Sequence, residues 1–149
     1  MSESSEQARE SAGDVFTQSL VPKLQSHPKR IVFTDGADER ILRVAERMVK
    51  SEVGIPILLG NRQEIHQLAE ALGISLDFVK VLEPSAAGDF EVFCDFLRRT
   101  EHVRGVEISN PEEILRQPAY FGAMMIQYGQ ADGLVGGNQS YPASIFRAL

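Results

Sequence analysis

The chain has 149 residues, 43% of them hydrophobic and 24% charged. That balance suits one globular domain able to bury about 68–70% of its unfolded surface. Fifteen basic residues against 21 acidic ones leave a formal charge of −6. This excludes a generally basic nucleic-acid or anionic-membrane binder, while leaving room for a local basic pocket. The lone cysteine, Cys94, excludes an internal disulfide and an all-cysteine metal site, and it fits a reduced, cytoplasmic compartment.

No apolar run approaches the ~20 residues that cross a bilayer, and the Ser/Glu-rich start lacks a secretory signal's basic and apolar regions. Residues 1–13 read as a disordered, solvated tail. From Asp14, a helix-capping type, Val15, Leu20, Val21 and Leu24 recur at helical spacing. His27-Pro28 ends that helix, because a residue before proline avoids the helical region. The β-branched run Arg30–Thr34 predicts a buried strand leaving at the Asp35-Gly36 turn.

A strong helix follows, with Ile41, Leu42, Val44, Ala45, Met48 and Val49 on one stripe and Gly54 as its stop. Ile55–Gly60 is a second strand, with Pro56 near its start. Glu64–Leu72 is a short helix closed by Gly73, and Phe78–Leu82 a third strand ended by Glu83-Pro84. Gly88–Arg99 is amphipathic through Phe90, Phe93, Cys94 and Leu97. Asn110-Pro111-Glu112-Glu113 carries a favoured cap, a first-turn proline and two carboxylates toward the positive dipole end. Ala119–Tyr128 is apolar on most sides and predicts a central, buried helix ended by Gly129. Gly133–Gly136 is a fourth strand, Gly137–Tyr141 a loop, and Pro142 opens a last helix.

Strands made of apolar runs, alternating with helices, predict a three-layer α/β/α fold with a mainly parallel sheet over residues 14–149. The last segment, Ser144–Leu149, is the beginning of an amphipathic helix whose Phe146 and Leu149 seek a partner. It reads as the first part of a longer fold, or as a surface that a second chain completes.

Three places could carry chemistry. Gly136-Gly137-Asn138-Gln139-Ser140 follows the fourth strand and precedes a helix, a suitable cradle for an anion such as phosphate. The other reading is a tight turn with Ser140 as the helix cap, and no Walker-type lysine follows. Thr34–Arg40 lies at the first strand end, where Asp35 or Asp38 is either a helix cap or part of a site. Its three carboxylates do not by themselves make a Mg²⁺ site. Arg98, Arg99 and Arg104 cluster, and Arg147 stands on the last helix; an arginine fork suits phosphate, and solvation is the alternative. His27, His66 and His102, the last in a polar loop, lack a second ligand at metal spacing, and Cys94 lies on an apolar face.

Taken together, Phe33-Thr34-Asp35-Gly36-Ala37-Asp38-Glu39-Arg40-Ile41-Leu42, Ile55-Pro56-Ile57-Leu58-Leu59-Gly60-Asn61, Tyr120-Phe121-Gly122-Ala123-Met124-Met125 and Ala131-Asp132-Gly133-Leu134-Val135 resemble, in order, segments of the phosphate acetyltransferase and phosphate butyryltransferase family. The resemblance runs over about residues 28–149. It implies acyl transfer between acetyl-CoA and inorganic phosphate, giving acetyl phosphate and CoA. It further implies a two-domain α/β enzyme, of which this is an incomplete first domain, and a homodimer with CoA as substrate and no tightly bound cofactor or metal. The family's catalytic aspartate, serine and arginine belong to a second half that this chain does not match, so the isolated chain is expected to be inactive. By motif position, Arg98 and Arg147 fall on two CoA-binding arginines, with Gly136, Gly137 and Ser140 in the adjoining loop. That loop departs from the family's usual histidine, aspartate and proline, and its Ser140-Tyr141 pair is nearer the malic-enzyme branch. The alternative it implies is a non-catalytic module that binds acyl-CoA or acetyl phosphate, like the malic-enzyme C-terminal domain.

Overall fold

The computed structural model describes residues 3–104 and 110–139. The elements run α1 (Glu3–Ser26), β1 (Lys29–Phe33), α2 (Glu39–Lys50), β2 (Gly54–Leu59), α3 (Arg62–Leu72), β3 (Lys80–Leu82), α4 (Phe90–Arg104), α5 (Pro111–Leu115), α6 (Pro118–Gln127) and β4 (Gly133–Val135), with a 3-10 turn at Pro84–Ala86. The four strands form one sheet in the order β3-β2-β1-β4, and every pairing is parallel. Val32 sits opposite Ile57 on one side and Leu134 on the other.

Side chains alternate across the sheet, as the two-residue period of a strand requires. Val32, Ile57 and Leu59 face one core with Phe93, Phe121 and Met125 of α4 and α6. Phe33 and Leu58 face the opposite core with Ile41, Leu42 and Ala45 of α2 and Ile65 of α3. The result is the expected three-layer arrangement, with the sheet covered on both faces. Phe93 is fully buried and lies 5.1 Å from Phe121, ring centre to ring centre. Burying a side chain of this size contributes about 1.5–3 kcal/mol. At Gly122, α6 comes so close to the sheet that a Cβ would lie 2.7 Å from Leu134 Cδ1 and 3.2 Å from Val32 Cγ1.

Side-chain caps open three of the helices. Asp38 Oδ1 accepts the Arg40 N–H ahead of α2, Asn61 Oδ1 the Glu64 N–H ahead of α3, and Asn110 Oδ1 the Glu113 N–H ahead of α5. Gly73 ends α3 in the left-handed region, at φ 65°.

Four expectations are corrected. The helix expected to open at Asp14 has helical backbone from Glu3, eleven residues earlier, in a stretch whose Glu, Gln, Ala and Arg residues are good helix formers. Gly54 does not stop α2. Ser51 caps it, Glu52 turns the chain at φ 56°, and Gly54 already belongs to β2, where a Cβ would lie 2.7 Å from Met48 Cε. Phe78 is not in β3 but is 88% exposed at φ 63°, so the strand is reduced to Lys80–Leu82. The backbone of His102 continues α4 instead of forming a polar loop.

Candidate functional site at the β1/β4 junction

From β1 the chain steps outward to β2 and β3, then returns past β1 to lay β4 on its other side. The strand order therefore reverses between β1 and β4. In open parallel sheets, ligands sit beyond the carboxyl ends of the strands at this reversal. Thr34, Asp35, Gly36 and Asp38 leave β1 there, and Gly136, Gly137, Asn138 and Gln139 leave β4. Two candidate segments that the sequence presents about 100 residues apart thus meet at one place.

The β1 side is tightly built. The buried Thr34 gives its backbone N–H to Val135 O at 3.0 Å, extending the ladder one step beyond the strand. Gly36 gives its N–H to Leu59 O at 3.0 Å. A Cβ on Gly36 would meet that same oxygen at 2.6 Å and Ile65 Cδ1 at 2.9 Å. Asp38 is 4% exposed. Its carboxylate takes the Arg40 backbone N–H at 2.8 Å, the Arg40 Nη2 at 3.2 Å and the Gln139 Nε2 at 2.9 Å. Burial alone would raise this acid; the hydrogen bonds from Arg40 and Gln139 outweigh it and hold the carboxyl below its ordinary value.

Across the junction, Gly137 adopts φ 91°, and the successive N–H groups of Gly137 and Asn138 converge on Asp35 Oδ2 at 3.1 and 3.0 Å. Paired amides of this kind form an anion-binding nest. The expectation of an open amide cradle for a ligand is therefore modified: an internal carboxylate occupies these two donors. Among the described residues, the buried Asn138 Nδ2 has no hydrogen-bond partner. Asp38 is the cap of α2, and Asp35 ties the end of β1 to the loop after β4.

Arg98 belongs to a separate group on α4 and α5. Its Nη1 donates to Asp95 Oδ1 at 2.7 Å, and its Nη2 donates to Glu112. Arg99 Nε donates to Asp95 O at 3.2 Å, and the three residues Asp95, Arg98 and Arg99 line a shallow cleft of about 350 Å³. The sequence places Glu112 in the first turn of its helix, but no local spacing signals its pairing with Arg98, 14 positions away. Ser140, Arg147 and the last helix lie outside the described residues, as does the side chain of Arg104.

Cys94 is buried, as its place on an apolar face implies. Burial, with a smaller contribution from Glu91, pushes its thiol pKa up. Among the described residues no group of three or more His, Cys, Asp and Glu could hold a metal ion, and no helix is long and apolar enough to cross a membrane.

A family model described as phosphate acetyl/butaryl transferase matches residues 15–149. The phosphate acetyltransferase of Thermoanaerobacterium thermosaccharolyticum is 32% identical over 130 residues, covering 87% of this chain and 39% of that protein. The phosphate acetyltransferase of Nitratidesulfovibrio vulgaris is 32% identical over 123 residues, covering 83% of this chain and 18% of that protein. Among solved structures, a phosphotransacetylase from Streptococcus pyogenes aligns at a TM-score of 0.76 and 28% identity, over 88% of this chain and 41% of its own. The chain thus spans well under half the length of these relatives. It belongs to the phosphate acetyl/butaryl transferase family.

Proposed function

We propose that this chain forms the N-terminal part of a phosphate acetyltransferase, which moves an acetyl group between CoA sulfur and inorganic phosphate: acetyl-CoA and phosphate give acetyl phosphate and CoA. The observation that carries this reading is the family match over residues 15–149, joined to named phosphate acetyltransferase relatives at 32% identity. The β1/β4 junction supports it as well, since its position is that of a ligand crevice in a parallel sheet.

In this reading the chain supplies one wall of a cleft between two domains. Arg98 and Arg147 bind CoA, and Gly136, Gly137 and Ser140 shape the adjoining loop. The proton transfer from the thiol and the stabilisation of the oxyanion come from residues of the family's second half. CoA is a substrate, no cofactor is held tightly, and the complete enzyme works as a cytoplasmic homodimer.

The test is phosphate-dependent CoA release from acetyl-CoA by the complete protein that carries this chain. Turnover that requires both acetyl-CoA and phosphate supports the reading. Binding of acetyl-CoA without turnover overturns it in favour of a non-catalytic module. The isolated 149-residue chain is expected to show no turnover.

A further inference from the structure

We propose that Asp35 is a positioning residue: its carboxylate holds the loop 136–139 in the shape that receives the anionic substrate. The proposal rests on the functional reading of the β1/β4 junction given above and adds to it the device that sets the loop.

The two sides of the junction differ in stiffness. The Asp35 side is anchored from behind. Thr34 continues the ladder to Val135, and Gly36 is pressed against Leu59 O so closely that no side chain fits. The loop side begins with two adjacent glycines, Gly136 and Gly137, the second at φ 91°. Glycine is the residue that loses most freedom when it is fixed in one conformation. Something outside the loop must hold it.

Asp35 Oδ2 does so by accepting two successive N–H groups at 3.1 and 3.0 Å, from residues 102 and 103 positions away. Thr34 Oγ1 reaches the same oxygen at 3.4 Å. Hydrogen bonds to an ionised acceptor are about twice as strong as neutral ones. Asp38 adds a second tie one residue further along, to Gln139 Nε2. The Gly137 and Asn138 amides therefore serve as handles by which the loop is held, and a ligand reads the surface that this hold presents.

The test uses the complete protein and two variants, Asp35→Ala and Asp35→Asn, with two readouts. One is amide hydrogen exchange across residues 136–139 without substrate. The other is the separation of KM from kcat for phosphate and CoA. In Asp35→Ala, exchange of this segment rises at least about tenfold, the scale set by losing bonds to a charged acceptor. KM rises while kcat changes less than about threefold, and exchange elsewhere is unaltered. Asp35→Asn keeps an acceptor oxygen of weaker charge and falls between wild type and alanine. Unchanged exchange in the 136–139 segment overturns the proposal. So does a rise spread over the whole chain, which marks a merely structural role. If Asp35→Ala does not fold, Asp35→Asn decides alone by the same criterion of exchange confined to the loop. Absence of acyl transfer in the wild-type protein defeats the functional reading and the KM half of the proposal with it; unchanged loop exchange defeats the positioning alone.

Discussion

Arg30 and Asp132 grip each other at the start of β1 and β4 through both backbone and side chain. Asp132 Oδ2 accepts the Arg30 backbone N–H at 2.8 Å and its Nε–H at 3.1 Å, Asp132 Oδ1 accepts Arg30 Nη2 at 3.0 Å, and the Asp132 N–H returns to Arg30 O at 2.8 Å. The pair joins residues 102 positions apart and aligns β4 beside β1. Those hydrogen bonds, with the nearby positive charge, lower the Asp132 carboxyl from 3.8 to about 2.

A depressed carboxyl contributes stability above its ordinary pKa and loses it as pH falls through the folded-state value. Asp132→Asn is therefore less stable than wild type at neutral pH. The gap between their urea midpoints stays constant down to about pH 4 and closes as pH falls toward 2. A gap that persists undiminished at pH 2 contradicts the assignment.

Gly36→Ala places a Cβ 2.6 Å from Leu59 O, a backbone atom that cannot swing aside. The variant is expected to lose about 1–3 kcal/mol of stability, the cost of overpacking a tight site. Chemical denaturation measures it. Stability equal to wild type would mean that the end of β2 yields freely.

Cys94 is 0% exposed, and burial pushes its thiol pKa further up, away from the reactive thiolate. Alkylation by iodoacetamide is slow in the native chain and becomes fast only in denaturant. Equal rates in the two states would place the thiol at the surface.

Both amino groups of the Arg98 fork are held by carboxylates, those of Asp95 and Glu112. On the CoA role proposed for Arg98, a ligand phosphate competes with them. In the complete enzyme Glu112→Gln lowers the KM for CoA by up to about fivefold, the range of an exposed ion pair, whereas Arg98→Ala and Arg147→Ala raise it. Steady-state kinetics decide, and an unchanged value for Arg98→Ala removes that residue from the CoA site.

The helix boundaries were legible wherever a local signal acts alone. Asn110-Pro111 opens α5 and Gly73 closes α3, because capping needs only a polar oxygen or a left-handed residue at the right place. The misreadings arose where tertiary contact overrides such signals. Gly54 looks like a helix stop, yet the space taken by Met48 and by Lys29 O explains it as part of a strand. Phe78 looks like a strand residue by type, yet its φ of 63° breaks the extended backbone before β3 begins.

By itself, the sequence determined the class of fold, the run of elements, the caps at Asn110 and Gly73 and the family, since periodicity and motif order are written along the chain. The structure alone decided that the chain returns to β1 after β3, and so brings Asp35 to Gly137 and Asn138, Arg30 to Asp132, and Arg98 to Glu112. Such partners are chosen by where distant segments meet in the sheet and its covering layers, and nothing in the local spacing of residues encodes that meeting.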